Sequence, residues 1–340
     1  MPDRTHCPQA DEWIRQMRRG DWEAAWRISD RTQAQRRGAK PQTGASGTGL
    51  PRHLQWVWDG TPLAGKRVLV RCYHGLGDTI QFIRFAPVLR QSAAHVTVWA
   101  QPQLLPLLRP VEGIDALLPL HEGACRAAYD VDIEVMELPH ALRTTLATLP
   151  RTVPYIRLER KPAAYRCDPR LHVGLVWQSG NWDERRSVAP ELLRPLTRLG
   201  GIRWKILQRG PALASWPGQI GEIPLIGNVL EEAAELCALD LLVCVDTMSA
   251  HLAGALGVRT WTLLPARADW RWMEERQDTP WYPTMRLFRQ RKPGDWDRVI
   301  AQVARELTRE TRAAPHGREL QRLASLDPDS SRANTCPGER

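Results

Sequence analysis

The sequence predicts an α/β protein made of two halves, each a doubly wound parallel sheet. The first observation is the stretch 68–85. Branched Val68, Leu69 and Val70 run into Gly75-Leu76-Gly77, then Asp78 and an amphipathic run. Strand, glycine loop and helix form the βα unit of a doubly wound sheet. The second is the repeat of that pattern at 240–257. The apolar run 241–245 suits a buried parallel strand, Asp246-Thr247 ends it, and an Ala- and Leu-rich helix over 249–256 follows, with Gly257 as its C-cap. A third strand-loop lies at 173–186.

The elements follow in order. Residues 11–36 predict two short helices split at Gly20-Asp21, with Trp13, Ile14 and Met17 on one apolar face and Trp22, Ala25, Trp26 and Ile28 on the next. A Gly-, Thr- and Pro-bearing linker is expected over 38–51. The first half is expected over 52–158, with strands near 67–72, 95–100, 114–118, 130–135 and 153–157, a helix over 78–91 and a short helix over 102–108. The second half is expected over 159–312, with strands near 172–177, 202–207, 241–245 and 259–264. A closing helix over 296–308 is expected to cross back to the first half. The polar run 313–340 reads as a disordered tail.

Composition bounds the function. At 340 residues, the chain has room for two domains. Lys+Arg 47 against Asp+Glu 38 gives a net charge of +9, which favours an anionic partner. No basic stripe interleaved with aromatics forms a nucleic-acid motif. A small anionic ligand, or an anionic membrane face, fits as well. The seven cysteines form no CxxC pair and show no zinc spacing; Cys237 and Cys244 read as core thiols. A reducing cytoplasm is the expected compartment. The first residues lack the apolar core of a signal peptide, and no apolar run reaches transmembrane length. Any contact with a membrane is expected to be peripheral, on its inner face.

Two site candidates follow from the residues. Asp78, beside Gly75 and Gly77, is placed either to cap a helix or to take a proton from a bound hydroxyl. The helix after Asp246 presents free N–H groups and the hydroxyls of Thr247 and Ser249, an arrangement suited to phosphate, with His251 on its first turn as a further donor. Arg185 and Arg186 follow the strand near 172–177, and a planar guanidinium can hold phosphate oxygens bidentately. Asp269, Trp270 and Trp272 either line a cleft or pack in a core.

These motifs together resemble glycosyltransferase family 9, the ADP-heptose:lipopolysaccharide heptosyltransferases. They resemble most the branch found as the C-terminal domain of bacterial tetratricopeptide-repeat proteins. The matching stretches are GLGDTIQFIRFAPVL (75–89), HVGLVWQSGNWDERRSV (172–188), DTMSAHLAGALG (246–257) and DWRWMEERQDTPWYPTMRLFRQ (269–290), within a likeness over 54–307. The resemblance implies a GT-B-like fold, two Rossmann-type domains facing across a cleft, with 1–37 a tetratricopeptide-like remnant. It implies an inverting glycosyltransferase with no cofactor and no metal, whose co-substrate is a nucleotide-diphosphate sugar. The acceptor would be a glycan, a lipid-linked sugar or a protein, with a protein partner possible at the N-terminal helices. Asp78 would be the general base. Arg185, Arg186, Ser187, Gln208, Asp246, Thr247, Met248, Ser249 and His251 would meet the donor. The stretch 139–145 resembles the acceptor-side loop. The 178–187 loop departs from the longer, histidine-bearing form of many relatives. An alternative is a non-catalytic heptosyltransferase-like scaffold that binds a sugar nucleotide. A dinucleotide-dependent oxidoreductase is disfavoured, because no Gly-x-Gly-x-x-Gly follows the early strand.

Overall fold

The computed structural model describes residues 8–38, 58–122, 125–158, 168–180, 183–216 and 220–324. The expected linker apart from Gly38, most of the crossing near 159–171, and Cys7, Cys167 and Cys336 lie outside the described residues.

Two helices, α1 (Pro8–Arg19) and α2 (Trp22–Gly38), form a hairpin turned at Gly20, whose φ of 85° favours glycine. Asp21 accepts the Ala24 N–H at 2.9 Å and starts α2. The first sheet holds β1 (Arg67–Arg71), β2 (His95–Ala100), β3 (Ala116–Pro119) and β4 (Val131–Glu134), all parallel, in the order β3-β2-β1-β4. The helix expected over 78–91 is broken into α3 (Leu76–Phe82), one 3-10 turn and α4 (Ala86–Ser92). Pro87 explains the break: it has no N–H to donate, and its ring crowds the preceding turn. Short helices α5 (Leu105–Leu108) and α6 (Leu138–Ala141) complete this half.

The second half holds β5 (Leu171–Val176), α7 (Arg194–Thr197), β6 (Ile202–Ile206), α8 (Val229–Cys237), β7 (Leu241–Val245), α9 (Met248–Ala255), β8 (Thr260–Leu264) and β9 (Met285–Arg289). Its parallel sheet runs β6-β5-β7-β8-β9. Strand β9 was not anticipated from the sequence. The strand expected at 153–157 is absent: the N–H groups of Tyr155 and Ile156 instead bond Ala255 O at the end of α9, at 3.1 and 3.3 Å. Pro154, which can donate nothing to a ladder, accounts for the difference.

The last helix, α10 (Trp296–Ala324), corrects two expectations. Through Leu307 it packs on the second half. Val299, Ile300, Val303 and Leu307 pack with Leu193, Trp261 and Phe288 on one face of the second sheet. It also runs well past 312, into the stretch expected to be a disordered tail; residues 325–340 lie outside the described residues. Its buried face is apolar at helical spacing through Leu307, which is why the helix forms there.

The other face of the second sheet shares a continuous core with the first half and the hairpin. Trp22 stacks on Trp281 at 5.2 Å, and the Trp26 indole donates to Thr144 O at 2.6 Å. Asp30 accepts two bonds from Arg143, each 2.8 Å, and contacts His140 Nε2 at 2.9 Å. The hairpin thus docks on both halves. The stretch 139–145, expected to face an acceptor, lies under it.

The halves meet where α3 packs on α9. A Cβ on Gly77 would lie 2.9 Å from His251 Cδ2, and one on Gly254 would lie 2.3 Å from the Tyr282 ring. Between them, buried Arg84 donates to Gln81 O at 2.8 Å, to Trp281 O and to the Tyr155 hydroxyl at 2.9 Å, with its guanidinium 4.6 Å from the Tyr282 ring centre. Gly254→Ala should therefore destabilise the protein by about 1–3 kcal/mol, the usual cost of overpacking. Urea denaturation showing unchanged stability would contradict this contact.

Candidate functional site

A cavity of about 230 Å³ opens between the halves where the loops after β1 and β7 converge. Gly75, Leu76, Gly77 and Asp78 come from the first half. Gly180, Arg186, Asp246, Thr247, Met248 and His251 come from the second, with Asp269 and Arg271 on the loop after β8. Both doubly wound halves therefore present the C-terminal ends of their strands to one space.

Asp78 lies in the first turn of α3. One carboxylate oxygen accepts the Gly75 N–H at 3.0 Å, and the other accepts from Arg271 Nη2 at 2.7 Å. It is a cap and a site residue at once. A carboxylate has about four lone-pair sites, so two remain for another donor.

Arg271 is a charged cavity-lining residue that sequence reasoning missed. Its guanidinium donates to Asp78, to Asp269 at 2.8 Å and to Gln81 Oε1 at 2.7 Å, and it lies 4.7 Å from the Trp270 ring centre. Burial opposes its charge, but the carboxylates of Asp269 and Asp78 outweigh that and raise its pKa. For Asp269, burial works against ionisation, and Arg271 still holds the carboxyl below its usual range. One arginine among 47 basic residues carries no signal of its own. Its position between Asp269 and Trp272 was the available clue.

On the second half, Arg186 donates to Asp246 O at 3.2 Å, and its Nη1 lies 3.6 Å from the Asp246 carboxylate. Burial pushes the Asp246 carboxyl up to about 6, with the Asp269 charge adding to the rise and Arg186 opposing it. Thr247 is the N-cap of α9, and its side chain makes no capping bond. The first N–H groups of a helix have no intrahelical partner, so this end can receive an anion.

His251 reaches the cavity but not as a cation. Burial, then the charges of Arg271 and Arg84, lower its pKa to about 3, so the ring is neutral. Its Nδ1 meets the Tyr282 hydroxyl at 2.9 Å, and its ring stacks on Trp272 at 5.5 Å. The lining charges at neutral pH are thus two arginines against three carboxylates. The cavity lining carries no excess of positive charge.

Four expected donor contacts do not line the cavity. Arg185 pairs with Asp183 at 2.8 Å and is 73% exposed. Ser187 Oγ accepts the Ser179 N–H at 3.3 Å. Buried Gln208 accepts the N–H groups of Trp177 and Gln178 at 3.1 and 2.9 Å, stitching the loop after β5 to that after β6. The Ser249 hydroxyl donates to buried Glu232 on α8, which also pairs with Arg209. Trp270 and Trp272 pack as core, whereas Asp269 lines the cavity.

No protein-family model matches the chain. Protein FlbA of Caulobacter vibrioides is 25% identical over 285 residues, which cover 74% of this chain and 48% of FlbA. The chain thus spans about half the length of that relative. The E. coli ADP-heptose lps heptosyltransferase II structure matches with a TM-score of 0.50 at 13% identity, over 72% of this chain and 98% of that one. A glycosyl transferase family 9 structure from Veillonella parvula has a TM-score of 0.47 at 16% identity, over 68% and 88% of the two chains. The architecture is GT-B-like, and the chain is heptosyltransferase-like in fold.

The titration of Asp246 gives a test. Its folded pKa is raised, so the carboxyl holds its proton more tightly than in the unfolded chain. Its contribution to stability is full below the unfolded value of 3.8 and is lost as pH rises through about 6. An anion bound beside it, with Arg186, Asp269 and neutral His251 as its neighbours, favours the protonated form. Nucleoside diphosphate affinity should therefore strengthen between about pH 7.5 and about pH 5.5, more steeply than in Asp246→Asn. Equal pH slopes by calorimetry would refute the linkage.

Proposed function

We propose that the chain is an inverting glycosyltransferase that moves a sugar from a nucleotide-diphosphate sugar to a glycan, lipid-linked or protein acceptor. The observation that carries this reading is the meeting, in one cavity, of Asp78 from the first half with Arg186, Asp246 and the α9 N-terminus from the second. A base from one half and an anion-receiving helix end from the other, lining one cavity, suit a single displacement. The acceptor oxygen attacks the anomeric carbon, its proton passes to Asp78, and the bond to the diphosphate breaks on the far side. The departing charge falls on Arg186 and the first N–H groups of α9. The reading assigns no step to a metal. Ligand pockets usually enclose about 300–1,000 Å³. At about 230 Å³ the cavity holds the reacting end of a donor, with the nucleoside extending beyond it.

A non-catalytic sugar-nucleotide-binding module is the second reading. It draws on the Asp78–Arg271 ion pair, which already engages the proposed base. No helix among the described residues is long and apolar enough to cross a membrane. A lipid-linked acceptor would thus be met at a surface.

Asp78→Asn should keep nucleoside diphosphate binding by calorimetry and lower turnover by about a hundredfold or more, the scale of positioned acid–base catalysis. Turnover close to that of the unsubstituted protein would remove Asp78 as the base. Arg186→Ala should weaken nucleoside diphosphate binding, more at low than at high salt. Unchanged affinity in that variant would remove the phosphate assignment. A wild-type protein that binds nucleoside diphosphate but transfers no sugar from any of a panel of sugar nucleotides would favour the second reading.

A further inference from the structure

We propose that the N-terminal hairpin is a working part of the site, with Arg18 and Trp13 as positioning residues that set Arg271 and, through it, Asp78. This rests on the transfer reading above only where turnover is concerned.

The segment that carries Arg271 has little regular structure to hold it. It is one 3-10 turn, Trp270–Trp272, followed by Met273 and Glu275 at φ of 52° and 54°. L-residues rarely adopt that backbone and keep it only where the surroundings enforce it. Helix α1 supplies much of the enforcement. Arg18 brackets the segment with both ends of itself: its Nη2 donates to Ala268 O at 2.7 Å, and its carbonyl accepts the Glu274 N–H at 3.2 Å. Between those points Trp13 packs edge-on against Trp270, with ring centres 5.3 Å apart. At the hairpin turn, a Cβ on Gly20 would lie 2.8 Å from Met273 Cε. Trp270 is also the ring beneath the Arg271 guanidinium. The hairpin therefore touches this segment on both sides of Arg271. Arg289 also donates to Trp272 O and Met273 O, each at 2.8 Å.

The geometry gives a chain of rigid contacts from the hairpin to Trp270, to Arg271, to the Asp78 carboxylate. None of these contacts involves Arg186 or the α9 N-terminus. The segment does meet α9 where Trp272 stacks on His251, so loosening the hairpin should disturb the Asp78 carboxylate more than the anion-receiving wall. The competing account is that Arg289 alone holds the segment and the hairpin is a passive cover.

The test uses the full chain with Arg18→Ala, Trp13→Ala and Trp13→Phe. Phenylglyoxal, which adds to accessible guanidinium groups, reads the placement of Arg271 by peptide mass spectrometry and needs no turnover. Adduct formation at Arg271 should rise severalfold in Arg18→Ala and Trp13→Ala, return toward wild type in Trp13→Phe, and stay low at equally buried Arg84. Unchanged reactivity at Arg271 in both variants overturns the proposal. If Trp13→Ala also exposes Arg84, it has unfolded, and Arg18→Ala decides. In the transfer assay, kcat should fall by about a hundredfold, as small misplacements of reacting groups do, with the donor KM unchanged. A reactive Arg271 with unchanged kcat overturns the link to Asp78. Absence of transfer in the wild-type protein would remove the transfer reading, and the reactivity at Arg271 would still decide the positioning.

Discussion

The Arg271 guanidinium is the interaction on which the rest of the structure depends. It is a buried charge with one carboxylate partner on its own loop, Asp269, and one from the other half, Asp78. Arg271 keeps Asp269 if Asp78 is lost, but the ion pair that joins the two halves goes with it. The halves cannot separate at this point without breaking the pair. The same contact that fixes their spacing also orients the carboxylate facing the cavity. Architecture and site chemistry thus share one side chain.

Small residues make that closeness possible. Gly77 lets α3 approach the His251 face of α9, and Gly254 leaves room for the Tyr282 ring. The glycine loop after β1 therefore serves the contact between halves as well as any ligand. Arg84 completes the seam by filling carbonyl acceptors and aromatic faces at once. The docked hairpin closes the far side, with tryptophans against both halves.

Charge in the site is balanced. His251 adds no positive charge, because burial keeps the ring neutral. Two arginines face three carboxylates, and Asp246, titrating near 6, is the group whose charge can adjust when an anion arrives. Under the proposed reading, an anion would be held here by directed N–H groups and Arg186 rather than by excess positive charge. This site would respond to pH more than an arginine cluster would.

Local pattern carried the sheet strands, because a buried parallel strand is a short apolar run that needs no partner to be recognised. Strands β1, β2, β5, β6, β7 and β8 were legible for that reason. So were the glycine loop at 75–77 and the N-terminus at Asp246-Thr247, since their backbone chemistry is written in adjacent residues. Two exceptions trace to proline: Pro87 broke a helix and Pro154 removed a strand. Strand β9 was missed for another reason, since arginines interrupt the apolar residues of Met285–Arg289. Within the site, Asp78, Asp246, Thr247, Met248, His251 and Arg186 were found from motifs and do line the cavity. Ser249, Gln208, Ser187 and Arg185 carry the same chemistry, but tertiary contacts with Glu232, the loop after β5, Ser179 and Asp183 take them up. Which polar group meets solvent and which meets a neighbour is decided by packing between distant segments. The sequence alone determined two doubly wound halves and two facing loops. Only the tertiary structure decided that Arg271 joins them, that His251 is uncharged, and that the hairpin grips the segment between: each depends on burial and on partners far away in the chain.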